Sequence, residues 1–239
     1  MNFGIVVFPG STCDRDAFHF IKDVLQESVT YLWYKDSLPK EIDCVILPGG
    51  FSYGDYLRPG AISAHVPIME DVIKFANNGG YVIGICNGFQ ILVESGLLPG
   101  TLIQNKQLKF VSKSVYLRVE TTDTPFTNQL NKKESICLPI AHGDGNYYIS
   151  QDELKQLESN NQILFRYVDR NNEPTSNANP NGSIQNIAGI SNLDKNVLGM
   201  MPHPERAGEK ILGLEDGLKI FKSILKHWNE QGGDKFGSY

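Results

Sequence analysis

The apolar run Tyr81-Val82-Ile83-Gly84-Ile85 passes directly into Phe89-Gln90-Ile91-Leu92 through Cys86-Asn87-Gly88. A buried strand that turns at once into a helix through Gly-x-Cys-x-Gly constrains this chain more than any other segment. It has the form of a nucleophile elbow with sulfur in place of the serine oxygen. The central residue of such a turn sits in a strained backbone conformation, and glycines beside it leave room for chain segments that pass closely. Cys86 is therefore the candidate nucleophile.

The first half of the chain alternates strand and helix signals around that turn. Strands are expected at Phe3 to Phe8, Val29 to Tyr34, Asp43 to Leu47 and Tyr81 to Ile85, with helices at Asp16 to Glu27 and Ile68 to Asn77. This order predicts an α/β fold, a three-layer αβα doubly wound and mostly parallel sheet, with its active site beyond the carboxyl ends of the strands. The second half is richer in strands, at Ser114 to Glu120, Ser135 to Ile140, Gln162 to Val168, Ile184 to Ile190 and Val197 to Met201, some of them antiparallel extensions. A last helix, Leu214 to Trp228, carries Leu218, Phe221, Leu225 and Trp228 on one face. The polar stretch Asp169 to Gly182 lies between two strand signals and reads as a long loop inside one domain, 1–230, with a polar tail at 231–239.

With 239 residues and 41% hydrophobic content the chain can bury a full core. A net charge of -5 and the lack of a Lys/Arg cluster argue against nucleic acid as a partner. Apolar runs are of strand length only, which argues against a membrane span, and the N-terminus reads as a strand rather than a signal peptide. A cytoplasmic location is the expectation. Four scattered cysteines, Cys13, Cys44, Cys86 and Cys137, form no Cys-x-x-Cys pair and read as reduced thiols. Dinucleotide and P-loop glycine patterns are absent, and no metal-ligand spacing occurs, so a bound metal is not expected.

A thiol at a helix start ionises more readily in the helix field, but it still needs a proton acceptor. The best partner is His203 in Pro202-His203-Pro204-Glu205, which follows the Val197 to Met200 strand and lies between prolines. Glu205 can accept from the other ring nitrogen. Cys86 as nucleophile, His203 as base and then acid, and Glu205 as the group that holds the tautomer make a set suited to acyl transfer through a thioester. The oxyanion needs amide donors: Asn87 N–H supplies one, and the loop Gly49-Gly50-Phe51 is expected to supply a second.

Blander readings apply elsewhere. Cys44 and Cys137 lie in apolar strand signals and read as core. Around Cys13, the residues Ser11, Thr12 and Asp14 read as a helix cap, with a catalytic role for Cys13 left open. His142 in Ala141-His142-Gly143-Asp144-Gly145 reads as part of a structural or partner-facing loop.

Together, Gly84 to Gln90 and Pro202 to Glu205 resemble the class I (triad) glutamine amidotransferases. Six further segments narrow the resemblance to the branch that serves as glutaminase subunit of phosphoribosylformylglycinamidine synthase: Phe8 to Ser11, Cys13 to Asp16, Pro48 to Gly60, Ala141 to Gly145, Asn179 to Ser183 and Met201 to Arg206. The resemblance spans nearly the whole chain. It implies L-glutamine as substrate, with Gln90 contacting it. It further implies ammonia transfer to a separate synthetase subunit that uses ATP and Mg2+, and a small bridging subunit, with no cofactor in this chain. Thr12 and Asp144 stand where that branch is expected to carry Asn and Glu, two changes that read as lying away from the triad.

Overall fold

The computed structural model describes residues 1–233; of the tail expected at 231–239, residues 234–239 lie outside the described residues. Strands β1 (Asn2–Val7), β2 (Ser28–Trp33), β3 (Cys44–Leu47) and β4 (Tyr81–Ile85) form in the first half, and β11 (Val197–Met200) near the end. β3, β4 and β11 are buried along their whole length, as strands covered on both faces must be, which explains their unbroken apolar sequences.

Nine strands make one sheet, in the order β2-β1-β3-β4-β11-β10-β9-β6-β7, with β6 at Val111–Val119, β7 at Ser135–His142, β9 at Ile163–Val168 and β10 at Ile187–Ser191. The five strands from β2 to β11 pair in parallel, whereas β10, β9, β6 and β7 extend the sheet antiparallel. The carboxyl ends of β1, β3, β4 and β11, four neighbours, therefore open onto one edge.

The expected first helix divides into α1 (Asp14–His19) and a π-helical turn at Phe20–Val24, where Leu25 N–H reaches Phe20 O at 3.0 Å. Its Phe20 ring meets Phe221 of the last helix, centroids 4.7 Å apart. α2 (Pro67–Asn77) starts on a proline, which loses no intrahelical bond there. α3 (Asn87–Glu94) follows the elbow, and the last helix, called α5 below, spans Gly217–Glu230 with Ile220, Phe221 and Ile224 fully buried.

Three elements escaped the sequence reading. α4 (Gln151–Ser159) is started by a capping box, Ser150 with Glu153, which is visible in the sequence. The short pair β5 (Thr101–Ile103) and β8 (Asn146–Tyr148) carries too few residues to show a period. β10 begins at Ile187 rather than Ile184, because Gln185 and Asn186 take positive φ in a tight turn. Cys44 is core as expected, but Cys137 on β7 is only half-buried, a correction that follows from the outer edge position of its strand. Among the described residues no helix is long and apolar enough to cross a membrane.

Candidate active site

Cys86 ends β4 and caps α3 with φ 53° and ψ -106°, a conformation that costs a non-glycine residue about 1–3 kcal/mol. Neighbouring segments hold it there. Its amide donates to Met200 O of β11 at 2.8 Å, and a Cβ added at Gly88 would lie 1.9 Å from Leu47 O of β3. Only glycine lets α3 start so close to that strand. The first intrahelical bond runs from Gln90 N–H to Cys86 O, which leaves the Asn87 amide without an acceptor inside the helix.

His203 leaves β11 in a backbone stretch tied by its own amide to Pro139 O of β7 at 2.9 Å. Its Nδ1 meets Glu205 Oε1 at 2.7 Å with both side chains buried. Nε2 therefore faces the other way, toward the sulfurs of Cys86 and Cys13, and makes no well-directed hydrogen bond there. Burial opposes a charge on this ring, but the Glu205 carboxylate and the Cys86 sulfur outweigh it and push its pKa well above the ordinary value. A raised imidazole pKa of this kind suits a general base.

The loop after β3 completes the wall. Gly50, at φ 152°, crosses Ser11 so closely that a Cβ would lie 2.7 Å from Gly10 O and 2.8 Å from Thr12 N. A Cβ on Gly49 would lie 2.8 Å from His203 Cε1 and 2.9 Å from Cys13 Sγ. The expectation for Phe51 needs correction, because its amide donates to Gly10 O at 2.9 Å and is not free for an oxyanion. Phe51 contributes its ring instead, 6.3 Å from that of Phe110 at the rim.

Asn87 and Gln90 also act through their side chains. Asn87 Oδ1 accepts from Ser52 N–H at 3.1 Å, Asn87 Nδ2 donates to Gln90 Oε1 at 2.8 Å, and Gln90 Nε2 donates to Asp144 O at 2.6 Å. This chain of bonds ties the loop after β3 to the loop after β7. Gln90, expected against the substrate, is here a buried link between two loops, because both ends of its amide already have partners.

Cys86, His203, Cys13, Thr12, Gly50, Phe51, Phe110, Ala141 and Arg206 line one cavity of about 190 Å³, suited to a small ligand. Cys86 Sγ lies 3.6 Å from Ala141 O. Thr12 is part of this wall, so its departure from the expected Asn lies at the site and not away from it. Asp144 joins the loop that Gln90 holds. Burial and the charge of Asp144 push Asp55 up to about 6. Of the lining residues, Phe51 and Phe110 expose large apolar side chains, and Tyr56, Leu57 and Leu108 are exposed as well.

His142 is buried, so of its two readings the structural one holds and the partner-facing one does not. Asn105, not singled out by its sequence, fixes it. Asn105 Nδ2 donates to His142 O and Lys109 O, so its Oδ1 is the atom that accepts from Gly145 N–H and from His142 Nδ1. His142 is thereby a neutral Nδ1–H tautomer, and burial and the nearby His203 push its pKa down to about 4. Asn181, fully buried, supports the same loop by donating to Gly145 O at 2.7 Å.

Residues 1–214 match the family model of the CobB/CobQ-like glutamine amidotransferase domain. The chain belongs to this family. The amidotransferase is 46% identical to a chain in the structure of PurLQS from Thermotoga maritima, over 95% of its own length and 98% of that chain, with a TM-score of 0.83. A crystal structure of a glutamine amidotransferase from the same organism shares the fold at 12% identity, with a TM-score of 0.56 over 98% of this amidotransferase and 86% of the other chain.

Proposed function

We propose that this amidotransferase is the glutaminase subunit of phosphoribosylformylglycinamidine synthase, acting in purine biosynthesis. The chemistry rests on the buried His203–Glu205 pair facing Cys86 at the end of β4. The assembly rests on the 46% identity to a chain of PurLQS along almost the full length of both.

Cys86 Sγ gives its proton to His203 Nε2 and attacks the side-chain carbonyl of L-glutamine. The oxyanion is met by Asn87 N–H and by the backbone of Gly50. His203 then protonates the amide nitrogen, which leaves as ammonia, and the remaining glutamyl thioester is hydrolysed by water with His203 as base. Glu205 holds Nδ1–H throughout. Ammonia passes to a synthetase subunit that binds ATP and Mg2+, and a small bridging subunit completes the assembly. The exposed Phe51 and Phe110 at the cavity, with the exposed Tyr56 and Leu57 in the same loop as Phe51, suit docking of the synthetase. Four free cysteines agree with a cytoplasmic setting.

The reading is tested in the reconstituted complex. Cys86→Ala is expected to abolish synthesis with glutamine while sparing synthesis with ammonium salts. Loss of both would show that Cys86 holds the assembly together instead.

A further inference from the structure

One group in the cavity has no task in glutamine hydrolysis. Cys13 is buried beside the site, and its sulfur, a ring nitrogen of His203 and a carboxylate oxygen of Glu205 lie within 4.8 Å of one another. His203 Nε2 is shut away from solvent, faces both Cys13 and Cys86, and makes no well-directed bond to either. Gly49 lies against all three residues, and only its lack of a Cβ lets them come together.

We propose that Cys13 Sγ, Cys86 Sγ and His203 Nε2 form a zinc(II) site, and that zinc bound there silences the nucleophilic thiol. The donor set is that of a soft metal, two thiolates and an imidazole, with the fourth position open to the cavity. Bond lengths of about 2.3 Å to sulfur and 2.0–2.1 Å to nitrogen in a tetrahedral site put donor atoms roughly 3.6 Å apart. Binding needs the Cys86 side chain, whose sulfur now lies 3.6 Å from Ala141 O, to turn toward Cys13 and His203 Nε2.

The surroundings favour it. Glu205 on Nδ1 fixes Nε2 as the coordinating atom, the carboxylate–histidine–metal arrangement that raises ligand basicity. Arg206 donates to Cys13 Sγ at 3.0 Å, a bond that a metal-bound thiolate also accepts. Two thiolates and Glu205 carry three negative charges there; Arg206, which also pairs with Asp16 at 2.9 Å, offsets part of them, and a divalent ion offsets two more. On binding, the Cys13 thiol proton and the proton shared by Cys86 and His203 leave to solvent, and no electron moves. Sequence spacing could not show this site, because its ligands come from loops after β1, β4 and β11.

Inhibition rests on the reading of Cys86 as nucleophile, but binding rests on geometry alone. The reduced, metal-free full chain is titrated with Co2+ and then with Zn2+. One equivalent of cobalt is expected to give thiolate-to-metal charge-transfer absorption, which one equivalent of zinc bleaches. Cys13→Ser is expected to weaken zinc binding at least about a hundredfold and Cys137→Ser to leave it unchanged. In the unsubstituted chain, zinc should protect both Cys13 and Cys86 from iodoacetamide. Absence of the charge-transfer band, protection of Cys86 alone, or zinc binding indifferent to Cys13→Ser would each overturn the proposal. Failure of a glutamine-derived chloroketone to label Cys86 in the zinc-free chain would instead overturn the functional reading, and the cobalt bands would still decide the metal site.

Discussion

His203 Nδ1 lies 2.7 Å from Glu205 Oε1, and neither side chain reaches solvent. The pair leaves β11 beside the strand that ends in Cys86, so three residues from two parallel neighbours meet at one sheet edge. Burial penalises a lone imidazolium, and the carboxylate reverses that penalty.

Replacing Glu205 by Gln keeps the volume but removes the charge. Turnover of glutamine by the complex should fall about 10²- to 10⁴-fold in kcat, with a much smaller change in KM. Steady-state kinetics with glutamine checks this, and an unchanged kcat would remove Glu205 from the proton path.

Gly88→Ala tests the elbow's packing rather than its chemistry. Its new Cβ would meet Leu47 O, backbone that has nowhere to move, so a loss of about 3 kcal/mol is expected in denaturant unfolding. A loss near zero would mean that α3 is not seated against β3.

Asn105→Ala leaves His142 Nδ1, Gly145 N–H and two carbonyls without their partner. About 3 kcal/mol of stability should go, and KM for glutamine should rise roughly ten- to hundredfold as the Ala141 to Gly145 loop shifts. Measured KM and the unfolding midpoint together separate these two effects.

The sheet was largely legible in the sequence, and the polar support of the site was not. β3, β4 and β11 are covered on both faces and therefore write themselves as apolar runs, while Gly49, Gly50, Cys86 and His203 stand at the strand ends where a doubly wound sheet places its site. Asn105 and Asn181 look in sequence like any loop asparagine. Their burial depends on segments far along the chain, as does the link of Gln90 to Asp144. Phe51 was misassigned because the choice between a free amide and one bonded to Gly10 O depends on the crossing of two loops.

His142 also sets a pH dependence. Its pKa in the fold, about 4, lies below the ordinary 6.5, so the unfolded chain binds the extra proton between these values. Stability contributed by the neutral ring is complete above about pH 6.5 and is lost as pH falls toward 4, by about 3 kcal/mol in all. His142→Asn should flatten that part of the stability curve measured by denaturant unfolding at several pH values.

The central claim is that Cys86 is the residue that attacks glutamine. Incubation of the complex with a glutamine-derived chloroketone, followed by peptide mass spectrometry, tests it directly. The account predicts one adduct, on Cys86, prevented by excess glutamine and abolished in His203→Ala; an adduct on Cys13, or none at all, would contradict it.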